Sequence, residues 1–120
     1  RLGRPCIYIG EDLNHMYFVP LANLNSKIKE KQFVIAPKAK NNLTKKSRIR
    51  ASELITRPVA FYELYGRLDH FDFQKLIESL RFFYKDDNPN FKLINHLIDK
   101  YINYVDLECN VKDKAYDKHK

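Results

Sequence analysis

The spacing of apolar residues divides the chain in two: short strand-like runs as far as Val59, then helical periodicity from Phe71 onward. Cys6–Ile9 and Met16–Val19 are rich in β-branched, aromatic and other apolar residues, the composition of strands. Between them Glu11-Asp12-Leu13-Asn14 is a polar turn with Gly10 as its expected bend, so the two runs predict a hairpin. Pro5 and Pro20 cannot donate to a ladder and are expected to mark its strand boundaries. In such a hairpin Arg4 stands near Pro20–Asn23, and a cation meets small polar groups at one sheet edge.

Gln32–Ala36 reads as a third, short strand. Pro37–Lys46 has turn formers and charge without periodicity, and is expected to be a mobile surface loop. Strand character returns over Ser47–Ile55, with Ile49, Ala51 and Glu53 on one face and Arg48, Arg50 and Ser52 on the other. Neighbouring like charges repel, so a cationic strand face suits a phosphate partner better than it suits structure alone. Arg57-Pro58 is expected to break this strand, and Val59–Leu64 fits either a strand or a short helix.

Asp69 is a good helix N-cap, and Asp72 complements the dipole in the first turn. Phe73, Leu76, Ile77, Leu80 and Phe83 recur at i, i+3, i+4 and i+7, which predicts an amphipathic helix over Phe71–Lys85. Asp86-Asp87-Asn88-Pro89 ends it and opens a second helix, with Asn88 as cap, Pro89 at the first position, and a stripe of Ile94, Leu97, Ile98, Tyr101, Ile102 and Val105. Both stripes need an apolar partner, which a sheet with helices on one face supplies. The expected architecture is α+β: a small, twisted, mainly antiparallel and barrel-like sheet with C-terminal helices. It forms a single domain over residues 1–109, and residues 110–120 make a polar, frayed tail.

A chain of 120 residues supports one core, and eight Phe with eight Tyr supply bulky material for it. No apolar run approaches the roughly 20 residues that span a bilayer, and no signal-peptide pattern opens the chain. With two cysteines, Cys6 read as a buried thiol and Cys109 as incidental, there is no disulfide framework, and a cytoplasmic location is the default.

Charge changes the picture more. The net charge is +7, and ten Lys and Arg between Lys27 and Arg57 face only Glu30 and Glu53. Lys29, Lys31, Lys38, Lys40, Lys45, Lys46, Arg48, Arg50 and Arg57 are the candidate residues for binding a polyanion, since basic clusters gain free energy from counterion release on binding phosphates. A solvated lysine-rich face, an acidic protein partner or a membrane surface also fits the charge. Phe33 is the one aromatic inside the run, so no base-stacking platform is evident there.

Arg4-Pro5 ahead of one strand and Tyr17-x-x-Pro20-Leu21 at the end of the next resemble the MazF/PemK superfamily of toxin ribonucleases. The likeness is greatest to the ToxN/AbiQ-like branch, whose members carry an Arg- or Asn-Pro strand and an H-K-Y-x-x-P-L-[TS]-S strand end. The counterparts here are His15-Met16-Tyr17-Phe18-Val19-Pro20-Leu21-Ala22-Asn23 and Ile49–Val59, and the likeness runs with gaps from about Arg4 to Tyr84. It implies metal-independent cleavage of single-stranded RNA, no cofactor, and growth inhibition. It further implies an antitoxin RNA on the Lys27–Arg57 surface, assembled with the toxin into a heteromeric ring. A closer kinship to MazF implies instead a protein antitoxin and a homodimer. Relatives also have a further strand ahead of the Arg-Pro pair.

Such cleavage turns the ribose 2′-hydroxyl into a nucleophile. It needs a group to orient that hydroxyl, a cation for the phosphorane and a proton donor for the leaving oxygen. The resemblance gives Arg4 the role of cation, where a guanidinium holds phosphate in two parallel bonds. It also requires Thr or Ser after Pro-Leu, where this chain has Ala22 and Asn23. Asn23 as phosphate donor, Ser26 and Lys27 as displaced hydroxyl and ammonium, and Ser52 as a small polar group complete the candidate catalytic set. Of the histidines, His15 is expected to flank the turn, and His70, His96 and His119 show no ligand spacing with one another or with the cysteines. Two readings stand beside the nuclease: a non-catalytic RNA-binding module on the same fold, and a protein-interaction module such as a gyrase poison.

Overall fold

The computed structural model describes residues 5–25, 27, 31–61 and 66–100. The expected tail, Tyr101, Ile102, Val105, Cys109, His119 and the Tyr62–Leu64 half of Val59–Leu64 lie outside them. A curled antiparallel sheet carries two helices. Its strands are β1 (Cys6–Glu11), β2 (His15–Asn23), β3 (Val34–Ile35), β4 (Ser47–Ile49) and β5 (Ile55–Pro58). Helix α1 spans His70–Phe83 and α2 covers residues 91–100.

The hairpin forms, but two of its punctuation marks act differently from expectation. Gly10 is not the bend. The register passes from Tyr8↔Phe18 to Gly10↔Tyr17, leaving Ile9 as the extra residue of a β-bulge, and Gly10 takes a φ of +134° that disfavours any side chain. The turn itself is closed by Asp12, whose carboxylate accepts from the backbone N–H of Asn14 and His15 and from the Tyr17 hydroxyl. Led by the Tyr17 bond, these donors hold its pKa down at about 2. His15 flanks the turn, its carbonyl accepting from Asp12 N–H.

Pro20 does not end a strand. β2 runs through it to Asn23, pairing Cys6 with Pro20. The Leu21 N–H donates to the Pro5 carbonyl, so the bonds to β1 flank Pro20 and its missing donor faces the other edge. On that edge residues 50–54 stand opposite only Val19 and Pro20, and the Pro20 carbonyl accepts from Arg50 N–H. A proline costs nothing where the ladder already opens.

That opening corrects the single Ser47–Ile55 strand. β4 ends at Ile49, a turn at Ala51 and Ser52 keeps Ala51 in the core and exposes Ser52, and the chain rejoins β2 as β5. Arg57 and Pro58 are the last residues of β5, so the strand does stop at this pair. β2 is the spine of the sheet, held by β1 on one side and by β5 then β4 on the other, with β3 beyond β4.

Alternation sorts the faces. Ile7, Ile9, Tyr17, Val19, Leu21, Ile35 and Ile49 point into the core, and Cys6, Tyr8 and Phe18 line the outer face. Cys6 is thus exposed rather than buried. Phe73, Leu76, Ile77 and Leu80 of α1 meet Ile94, Leu97 and Ile98 of α2 against the inner face. Phe83 does not join them: it is 42% exposed, and Tyr84 turns inward instead, its hydroxyl donating to the Ala51 carbonyl. The cap of α1 forms as expected, Asp69 accepting from Asp72 N–H, whereas Asn88 accepts from Asn90 N–H in the turn ahead of α2, whose first residue is Phe91 and not Pro89. The bulge at Gly10 lies against α2, close to Leu97 Cδ2.

Candidate functional site

The β1–β2 ladder brings the two halves of the sequence motif together. The bond from Leu21 N–H to the Pro5 carbonyl, 3.1 Å, sets Pro5 beside Leu21. Arg4, which precedes Pro5, lies outside the described residues, as do Ser26 and Lys29. Across the other edge, β4 pairs Arg48 with Ala22 and Ser47 with Asn23. Arg48 Nε donates to the Asn23 carbonyl at 3.0 Å, which fixes the guanidinium at the tip of β2. Lys27 is exposed just beyond, where Asn25 Oδ1 accepts from its backbone N–H and the Asn25 carbonyl accepts from Gln32 Nε2. Lys45 and Lys46, both exposed, lead into β4.

Ala22, Asn23, Lys27, Lys45, Lys46 and Arg48 thus converge at the end of β2. An anion placed there would meet cations from two segments, Lys27 after β2 and Lys45, Lys46 and Arg48 around the start of β4, and a half-buried methyl at Ala22. Ser47 is buried and its hydroxyl donates to the Lys45 carbonyl. Ser52 does not belong to this group. It is exposed in the turn of the excursion opposite Val19–Pro20, because the strand expected to carry it bends away.

The remaining basic residues separate. Arg50 pairs with Glu53 at 3.0 Å. Arg57 stands opposite Met16, six positions along β2 from Ala22 and roughly 20 Å away at about 3.3 Å per residue. Lys40 is exposed in a turn, and its carbonyl accepts from Arg67 N–H. Lys31 is exposed, with its ammonium 5.0 Å from the Phe33 ring centre.

Lys38 is taken out of any phosphate-binding set. Its ammonium lies 2.8 Å from Asp69 Oδ2 and 3.0 Å from Asp72 Oδ2, and these carboxylates, Asp69 first, raise its pKa. Lys38, then the Asp72 N–H, lowers the pKa of Asp69 in return. Asp72 is 1% exposed, so Lys38 neutralises a buried charge at the start of α1. Nor is its loop loosely held. Asn41 is buried and bonds Lys38 N–H, Leu43 N–H and the Ala36 carbonyl through its side chain. Lys38→Ala is expected to lower the melting temperature without changing the salt slope of polyanion binding. Adding Asp72→Asn should recover much of the loss, since the cost lies in a stranded carboxylate.

Helix α1 contributes residues that the basic run did not include. Lys75 Nζ donates to the Val34 carbonyl at 2.9 Å, and the Phe82 ring packs 5.8 Å from Phe33. The signal for them is the spacing Phe71, Lys75, Phe82 and Lys85 on the polar side of the helical pattern. Among the described residues no three His, Cys, Asp or Glu side chains gather as a metal site, and no helix is long and apolar enough to cross a membrane. Comparison of the chain with protein-family models, with curated proteins and with solved structures finds no match.

Proposed function

We propose that this protein is a toxin of the MazF/ToxN type, a metal-independent endoribonuclease that cuts single-stranded RNA in the cytoplasm and is neutralised by an antitoxin RNA. The observation that carries the reading is the pairing of Pro5 with Leu21 on one side of β2 and of Arg48 with Ala22 on the other. It sets Pro5 beside the Pro-Leu half of the motif, with Arg48 across the other edge of the same strand end. In this reading Arg4 and Arg48 grip the scissile phosphate and stabilise the phosphorane, and Lys27 and Asn23 position the strand. The 2′-hydroxyl loses its proton as it attacks phosphorus, the bond to the 5′-oxygen breaks as that oxygen takes up a proton, and a 2′,3′-cyclic phosphate and a 5′-hydroxyl end remain.

A second reading, the non-catalytic RNA-binding module, is favoured by Ala22, whose methyl cannot orient a hydroxyl. Incubation with unstructured RNA in EDTA separates the two. The nuclease is expected to leave 2′,3′-cyclic ends, with Arg48→Ala and Arg4→Ala each slowing cleavage by about a hundredfold. Tight binding that weakens with salt, without new ends, would establish the binding module instead.

A further inference from the structure

We propose that the outer face of α1 and the adjoining β3 edge form a strip that holds single-stranded RNA, made of residues other than those at the end of β2. Phe71 and Phe82 stack on bases there, and Lys31, Lys75 and Lys85 contact the phosphates. The proposal rests on the reading of RNA as the partner.

The strip is built from one helical face. Phe71, Lys75, Glu78, Phe82 and Lys85 follow one another at i, i+4, i+7, i+11 and i+14, which keeps them in one line along the axis. Phe71 is 63% exposed and Phe82 43%, a large outlay of apolar ring surface on a helix whose other side is a core. β3 runs beside this face. Lys75 is tethered to the Val34 carbonyl, and Phe33 leans on Phe82 with ring centres 5.8 Å apart.

Each ring is attended by lysine. Lys75 lies 4.8 Å and Lys38 5.4 Å from the centre of Phe71, Lys85 5.2 Å from Phe82, and Lys31 5.0 Å from Phe33. Four such pairs on one edge stand against a usual density of about one per 70–80 residues. A base entering a ring face displaces an ammonium into the neighbourhood of its own phosphate, so cation and aromatic act on the same nucleotide. This combination holds single strands without regard to sequence, since every base has a π-face and every nucleotide a charge.

Phe71 and Phe82 are eleven residues apart, about 16 Å at 1.5 Å per residue, a span of several nucleotides. A duplex keeps its bases stacked on one another and offers none to the rings, so the strip selects single strands. Glu78 is the one acid within the line, and Asp86 and Asp87 mark its end beyond Lys85. Lys38 steadies Phe71 while its charge is balanced by Asp69 and Asp72.

The test is fluorescence anisotropy with a labelled 2′-O-methyl oligonucleotide of unstructured sequence, which cannot be cut because it has no 2′-hydroxyl nucleophile, and a duplex of equal length. Phe71→Ala and Phe82→Ala are each expected to raise Kd by about tenfold for the single strand, with the salt slope unchanged. Lys85→Ala is expected to reduce the slope by about 0.7. Glu78→Lys should tighten binding, an arm that requires no loss of structure. Single-strand Kd values of both Phe variants and of Glu78→Lys equal to the wild type's, with Arg48→Ala still weakening binding, would overturn the strip and leave the RNA reading in place. Absence of salt-dependent RNA binding by the wild type would overturn both.

Discussion

Gly66→Ala is expected to destabilise the protein by about 3 kcal/mol, at the upper end of the usual cost of forcing one methyl into packed structure. A Cβ at this position would lie 2.5 Å from the Asn41 carbonyl oxygen, 2.6 Å from its carbon and 2.9 Å from its Cα. All three are backbone atoms, so no rotamer change relieves the contact. Asn41 cannot retreat cheaply, because it is 5% exposed and its side chain holds Ala36, Lys38 and Leu43 at once. Asn42 follows it at a φ of +57°, which fixes the bend of the loop. The chain on the glycine side is equally tied, since Arg67 N–H bonds the Lys40 carbonyl and Asp69, three residues on, caps α1 and meets Lys38. The methyl must part the loop from the start of the helix. Urea unfolding should show a lower midpoint at unchanged slope, and an unaltered midpoint would show that the loop opens freely.

The same region shows what the sequence could disclose. The hairpin and α1 were legible because alternation and helical spacing are local signals, and the α1 cap because Asp69 acts within three residues of itself. Pro20 was misread because the rule against proline assumes a ladder on each side, and only the register showed the gap opposite it. Phe83 and Tyr84 exchange roles for a related reason. Each continues the helical stripe, and the Ala51 carbonyl decides which one turns inward. In the candidate site, Asn23 and Lys27 were legible from their closeness to Pro20-Leu21, and Arg48 from its strand. Lys38 could not be separated from the other lysines, since Asp69 and Asp72 are more than thirty residues away along the chain. Ser52 was misplaced by the same excursion that accommodates Pro20. Phe71 and Phe82 were visible as residues off the apolar stripe, but Lys38 beside Phe71 and Phe33 beside Phe82 come from the segments flanking β3, which only the packing of α1 on that edge reveals.

Ala22→Thr is expected to raise the rate of RNA cleavage by about a hundredfold, the order attributed to one well-placed group acting on developing charge or on a proton. The substituted side chain would stand on β2 at the position paired with Arg48, whose guanidinium is fixed by the Asn23 carbonyl. A hydroxyl there lies on the strand position next to the cation proposed to hold the phosphate, and it can hydrogen-bond the ribose 2′-hydroxyl that attacks. The position tolerates the change: Ala22 is only half-buried, and a β-branched residue suits a strand. Affinity for the uncleavable 2′-O-methyl strand should stay within about twofold, because cations dominate binding and none is added. Single-turnover cleavage in EDTA separates the cases. A faster rate at constant Kd places the reacting ribose over Ala22. An unchanged rate in a variant that still binds RNA would move the chemistry away from the end of β2 and leave that surface a grip on the strand.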